Sequence, residues 1–209
     1  YSLLQGAIRL KSLPDLCIKA DMPAVAVTDK NNLFCALEFS VSASSKGVQP
    51  IIGCQIDIQY TDPKVGESLP KVAPIILIAQ SEKGYQNLMK LNSCLYLDED
   101  KRGFPRLDLT QLKDHSDDLI CLSGGPDGPL GSLIAEGQID KAINYASNLL
   151  EIFGDRFYIE LQRHPEEDGL PALEQKTEPI FLQIAYEMDI PIVATNDVHF
   201  LNSEAYESH

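Results

Sequence analysis

The sequence predicts an α/β fold in which strands and helices alternate around a distorted β/α barrel. Three observations predict it. Short apolar runs alternate with helical periodicities, the pattern of strands joined by helices. The alternation continues around the whole chain, which suits closure better than an open sheet. The last apolar run, Ile190 to Ala194, ends in polar residues that include Asp197 and His199. Polar residues just past a buried strand mark the edge where α/β folds place their chemistry.

The elements follow in order. Ser12, Pro14 and Asp15 read as a helix start running to Ala20, before Met22-Pro23. Ala24 to Thr28 is a buried strand and Asp29 to Asn32 a turn. Leu33 to Ala43 is a helix with Leu33, Ala36, Leu37 and Phe39 inward, and Gly47 ends it. Pro50 to Gly53 and Ile56 to Ile58 are strand signals, broken at Gly53 to Gln55. Thr61 to Lys71 is a polar hairpin tip, Ile75 to Ala79 a strand, and Glu82 to Cys94 a helix with Tyr85, Leu88, Met89 and Leu91 inward. Asp98 to Lys113 is irregular. Asp118 to Leu122 is a strand, followed by the turn-rich Ser123 to Gly128. Ile139 to Phe153 is a helix, Phe157 to Leu161 a strand, Ala172 to Met188 a helix, and Ile190 to Ala194 the last strand. These βα units imply a parallel sheet.

Composition excludes several classes. The 209 residues suffice for one large α/β domain. No apolar run approaches the ~20 residues needed to cross a bilayer. A net charge of -14 is opposite to the Lys/Arg stripe that tracks phosphates, and argues against strong nucleic-acid or anionic-membrane binding by this chain alone. Five scattered cysteines without a C-x-x-C pair read as buried free thiols and fit a reducing cytoplasm. Tyr1 is not a natural start and nothing terminates the chain at His209, so residues 1–209 read as a single-domain fragment of a longer protein.

Asp197 and His199 are two residues apart, so in an extended segment both side chains project to one side. A carboxylate beside an imidazole is half of a metal site. The alternative is that Asp197 caps a turn and His199 is a loop histidine.

Several segments in order carry a family resemblance: Tyr1-Ser-Leu-Leu-Gln-Gly6, Met22-Pro-Ala-Val-Ala-Val-Thr-Asp29, Asn32-Leu-Phe34, Gln49-Pro-Ile-Ile-Gly53, Gly84-Tyr-Gln-Asn-Leu-Met-Lys-Leu91, Tyr158-Ile-Glu-Leu-Gln-Arg-His164 and Ala194-Thr-Asn-Asp-Val-His-Phe200. Together they resemble the N-terminal PHP (polymerase and histidinol phosphatase) domain of bacterial DNA polymerase III alpha subunits. The resemblance implies a distorted seven-stranded β/α barrel, here with a truncated first strand. It implies a metal-dependent phosphoesterase fold, and a full-length protein that is a DNA-directed DNA polymerase, a nucleotidyltransferase of DNA replication. Active relatives hold several metal ions at the C-terminal ends of the strands, where adjacent cations activate water and neutralise phosphoryl charge.

Matched residue by residue, the ligand set is incomplete. The family's His-x-His precedes Tyr1. Where active members read Thr-Asp-His, this chain has Lys30, whose ammonium cannot ligate a cation and repels it. Gln55 stands where a Glu is expected, Pro74 where a His is expected, and Ser123 to Gly125 where a thiol or imidazole is expected. What remains is Asp197, His199 and His164 as vestigial metal ligands, with Lys30, Gln55 and Asp29 lining the site. The expectation is no catalytic residue, no required cofactor, and at most one divalent cation (Zn, Mn or Mg). Lys30 should pair with a leftover carboxylate, Asp197 being the first candidate. Implied partners are the rest of the polymerase chain, the proofreading exonuclease subunit and other replisome proteins. The alternatives are an active metal-dependent phosphoesterase or 3'-5' exonuclease, and a stand-alone enzyme like histidinol phosphatase. His115 and His209 match no motif.

Overall fold

The computed structural model describes residues 6–62, 69–97, 104–164 and 171–200. The tip of the first hairpin, the start of the first resembling segment and His209 lie outside the described residues.

Helix α1 (Leu13–Lys19) carries Pro14 in its first turn, where the missing N–H costs nothing. It leads to β1 (Ala24–Val27) and α2 (Ala36–Ser45). Strands β2 (Gln49–Thr61) and β3 (Lys71–Ala79) follow, then α3 (Glu82–Leu97) and α4 (Leu109–Asp114). Next come β4 (Leu119–Leu122), α5 (Pro129–Ala135), α6 (Ile139–Phe153), β5 (Phe157–Gln162), α7 (Ala172–Glu187) and β6 (Ile192–Thr195).

The strands form a six-stranded sheet in sequence order. The seventh strand of the expected barrel is not among the described residues. The sheet is also mixed rather than wholly parallel. β1–β2, β4–β5 and β5–β6 are parallel, while β3 runs against both its neighbours. β2 and β3 are consecutive and antiparallel, the pairing expected of strands joined by a short connection.

The expected break at Gly53 does not occur: β2 is continuous. Its first half pairs with β1 as far as Ile52, and from Gly53 onward it pairs with β3. A Cβ at Gly53 would lie 2.7 Å from the Leu77 carbonyl oxygen and 2.9 Å from Thr28 Cγ2. Glycine here permits close approach where one ladder hands over to the next. The sheet curls at such handovers. At its two ends, Ala7 N donates to the His199 carbonyl at 2.8 Å, tying the segment before β1 to the segment after β6. The result is a distorted half-barrel with helices outside.

The main core fills the space between sheet and helices, with Ile56, Ile75, Leu77, Phe153, Phe157 and Phe181 among its fully buried residues. A smaller cluster of Cys17, Phe39, Ala43 and Val48 lies under α1 and α2. All five cysteines are free thiols; four are buried and Cys94 half-buried.

Three local expectations are corrected. Leu37 and Met89 point outward rather than inward. In α3 the buried phase takes Asn87 instead, whose side-chain amide donates to the Asp117 carbonyl at 2.9 Å. Part of the stretch read as irregular is α4, started by a capping box in which Asp108 and Gln111 satisfy each other's backbone N–H. The turn-rich segment after β4 leads into α5, which begins at Pro129.

Candidate functional site

Five of the six strands run the same way, so the chain following β1, β4, β5 and β6 emerges at one rim. The candidate residues after β1, β5 and β6 therefore share that rim, and Gln55 is level with it.

On the β1 side, the turn from Asp29 to Asn32 is zipped onto β2. Lys30 and Gln55 face each other in a parallel bridge. Gln55 N donates to the Asp29 carbonyl at 3.1 Å, and Asn31 N donates to the Gln55 carbonyl at 2.8 Å. Asn31 adopts φ +54, a left-handed conformation that asparagine tolerates. Its side chain clasps buried Asp57: the amide donates to Asp57 Oδ2 at 3.0 Å and Oδ1 accepts from Asp57 N at 3.0 Å.

Lys30 Nζ stands 3.4 Å from that same Asp57 Oδ2. The carboxylate it meets is therefore Asp57, not the expected Asp197. Asp57 lies on the apolar strand β2, inside its pairing with β3, and its acidic side chain was the overlooked signal. Asp29 works locally. Burial and the Asp29 carboxylate beside it push the Cys35 thiol up to about 12. Burial likewise pushes Cys54 up to about 12. Both thiols are inert at neutral pH.

Because Lys30 is half-buried, its pair with Asp57 is worth on the order of 1 kcal/mol. Lys30→Ala and Asp57→Ala should show coupling in a double-mutant cycle read by urea unfolding, and Lys30→Ala with Asp197→Ala should show none. The reverse outcome would restore Asp197 as the partner.

Around the β4, β5 and β6 ends lies a second network that the sequence reading missed. Its centre is Glu160, which is buried within β5. Its Oε2 accepts from Gly124 N at 3.0 Å, and its Oε1 accepts from the Thr195 hydroxyl and from Gln162 Nε2. Ser123 Oγ accepts from Glu160 N at 2.9 Å. Burial raises the Glu160 carboxyl above the ordinary range, against the lowering effect of these donors. An acidic residue inside the apolar run Phe157 to Leu161 was the available signal.

His164, just past β5, is held on both sides. Nδ1 lies 2.6 Å from Glu174 Oε1 in the first turn of α7, and Nε2 lies 3.0 Å from the Asn196 carbonyl. Its backbone N–H donates to Glu174 Oε2 at 2.9 Å. Both ring nitrogens face oxygen acceptors, an arrangement that favours the protonated ring. The Asn196 carbonyl first, and then Glu174, raise its pKa above the ordinary 6.5. In the protonated form the ring has no lone pair for a metal, so metal binding and this pairing compete.

His164 thus stabilises the folded state fully below about pH 6.5, and that contribution is lost as pH rises through the folded pKa. The stability difference between the natural chain and His164→Gln, followed by urea unfolding, should shrink as pH rises past 6.5. A difference independent of pH would refute the imidazolium.

Asp197 and His199 do project together: His199 Nε2 lies 3.1 Å from Asp197 Oδ2, and Asp197 takes φ +39. The donor set does not fit a multi-metal cluster. His164 has oxygen atoms against both ring nitrogens, an ammonium stands by Asp57, and Gln55 and Pro74 offer no anionic ligand. Among the described residues no group of three or more His, Cys, Asp or Glu side chains is arranged to hold a metal ion. Among them, too, no helix is long and apolar enough to cross a membrane.

Comparison with known proteins agrees with this architecture. The chain is similar to DNA polymerase III subunit alpha of Caulobacter vibrioides, at 43% identity over 209 residues, covering 100% of this chain and 18% of that protein. It is 38% identical over 209 residues to the Rickettsia bellii subunit and 36% identical over 218 residues to that of Thermus aquaticus, covering 100% of this chain and 17% of each. The chain thus spans less than a fifth of the length of these curated relatives.

Among solved structures, it resembles a Bifidobacterium adolescentis protein described as a candidate metal-dependent phosphoesterase (TM-score 0.54, 11% identity, 94% of this chain and 84% of that one). It also resembles an amidohydrolase from Chromobacterium violaceum with bound sulfate and no metal (TM-score 0.53, 12% identity, 93% and 84%). At such identities the likeness shows the fold alone. The PHP domain model matches residues 1–164, most of the chain and three of the rim-lining strands' ends, and the chain belongs to the PHP domain family.

Proposed function

We propose that residues 1–209 are one PHP domain of a replicative DNA polymerase III alpha subunit, acting as a structural and docking module. The whole protein would be a cytoplasmic DNA-directed DNA polymerase, with its nucleotidyl transfer carried out elsewhere in the polypeptide. Alignment of the entire chain with polymerase III alpha subunits supports that placement. The partners would be the rest of that polypeptide, the proofreading exonuclease subunit and other replisome proteins.

The observation that carries the non-catalytic reading is the Lys30–Asp57 pair at the rim. A fixed ammonium there disfavours divalent cations by like-charge repulsion. Catalysis would need several cations to activate water and neutralise phosphoryl oxygens, and no residue here is assigned a catalytic role. At most one divalent cation (Zn, Mn or Mg) would sit at Asp197 and His199, and the domain would need none. Strong DNA binding by this region alone is disfavoured at net charge -14.

The test uses the full-length natural polypeptide, so that any histidines upstream of Tyr1 are present. Purified without added metal and then supplied with magnesium, it should extend a primer with deoxynucleotides. With the polymerase's own carboxylates disabled, it should release no nucleotides from DNA in manganese or zinc. The second reading, an active phosphoesterase or exonuclease, is favoured by the Asp197–His199 pair. Metal-dependent degradation abolished by Asp197→Ala would establish it and overturn the first.

A further inference from the structure

Helix α2 carries apolar residues on its outer face as well as its inner one, alongside exposed Glu38, Ser44 and Ser45. Ala36, Phe39 and Ala43 face inward and are buried. On the outside, Leu37 is 77% exposed and Val41 63%, with Phe34, also 77% exposed, just before the helix. Spacings of three and four put these residues on one stripe. Between Ala36 and Ser45 the sole charged residue is Glu38. Exposed apolar side chains grouped on one stripe mark an interface. Tyr96 stands beside this stripe: it is 59% exposed, and its hydroxyl donates to the Asn31 carbonyl at 2.8 Å in the turn leading to Phe34.

The occupant follows from length and charge. This chain makes up 17–18% of the relatives it matches over its entire length. The remainder of such a polypeptide is tethered to α2, and tethering raises its effective concentration above that of any free partner. A second copy is disfavoured, because two chains of net charge -14 repel.

We propose that the outer face of α2, with Leu37 and Val41 at its centre and Phe34 and Tyr96 at its edge, is covered by the remainder of its own longer polypeptide. The covering surface would be apolar with a basic rim. This rests on the reading that the chain is part of a polymerase alpha subunit.

The experiment places the photo-cross-linking residue p-benzoylphenylalanine at Leu37, and separately at Val41, in the full-length polypeptide. The same probe at Lys141, on the exposed side of α6, is the control. Both α2 positions are exposed, so the probe leaves the core intact. After irradiation, peptide mass spectrometry should find both α2 probes joined to residues beyond 209 of the same chain, with no such product from the Lys141 probe. A product of twice the chain mass, a link to a co-purifying protein, or no link beyond the control would overturn the proposal. A natural gene lacking a polymerase region would refute the functional reading instead, whereas a complete polymerase without the cross-link refutes only this surface.

Discussion

Gly124→Ala is expected to destabilise the protein by about 3–5 kcal/mol, combining the cost of a strained left-handed residue with that of overpacking against backbone. Gly124 follows β4 at φ +83, a conformation that glycine alone adopts without cost. An added Cβ would lie 2.0 Å from the Pro74 carbonyl oxygen and 3.0 Å from Gly128 Cα. Neither is the movable end of a side chain. The substitution would also displace the N–H that Glu160 receives. Urea unfolding should show a lower midpoint with an unchanged slope. A midpoint within error of the natural protein would mean that this approach of β3 to the β4 end does not exist.

Glu160→Ala is expected to cost on the order of 2–5 kcal/mol, because the Gly124 N–H and the Thr195 hydroxyl lose their acceptor in a buried setting. Since Gly124 and Glu160 share a hydrogen bond, the two substitutions should be less than additive. The pH dependence has a definite sign. Burial first, opposed by the donors, holds the Glu160 carboxyl above its ordinary 4.5. A carboxyl raised on folding favours the folded state fully below about pH 4.5, and that contribution is lost as pH rises through the folded value. Glu160→Gln removes the titration. The natural chain's stability relative to this variant should therefore fall as pH rises from 4.5. A relative stability that climbs with pH would show that the hydrogen bonds outweigh burial and that the carboxyl is lowered instead.

The rim explains why this site was only partly legible. Lys30, Gln55 and Pro74 could be seen as departures from a ligand pattern, because an ammonium, an amide and an imino acid are poor metal donors wherever they lie. The Asp197–His199 juxtaposition was legible too, since alternation along an extended chain is a local property. The partner of Lys30 was not. Asp57 is distant in sequence and reaches Lys30 only because β2 pairs with β1 and then continues past it. The partners of His164 were equally hidden: Glu174 and the Asn196 carbonyl, which lie against its two ring nitrogens, come from distant elements.

The sequence by itself determined the α/β class, most of the helices and strands, the hairpin between β2 and β3, the buried free thiols and the family. These rest on local periodicity, turn chemistry and the order of short motifs, all carried by neighbouring residues. Tertiary structure alone decided the antiparallel pairing of β3 with β4, the continuity of β2 through Gly53, the outward faces of Leu37 and Met89, and the hydrogen-bond network centred on Glu160. Each depends on which distant backbone lies alongside, and that is set by packing of the whole sheet rather than by any one segment's preferences.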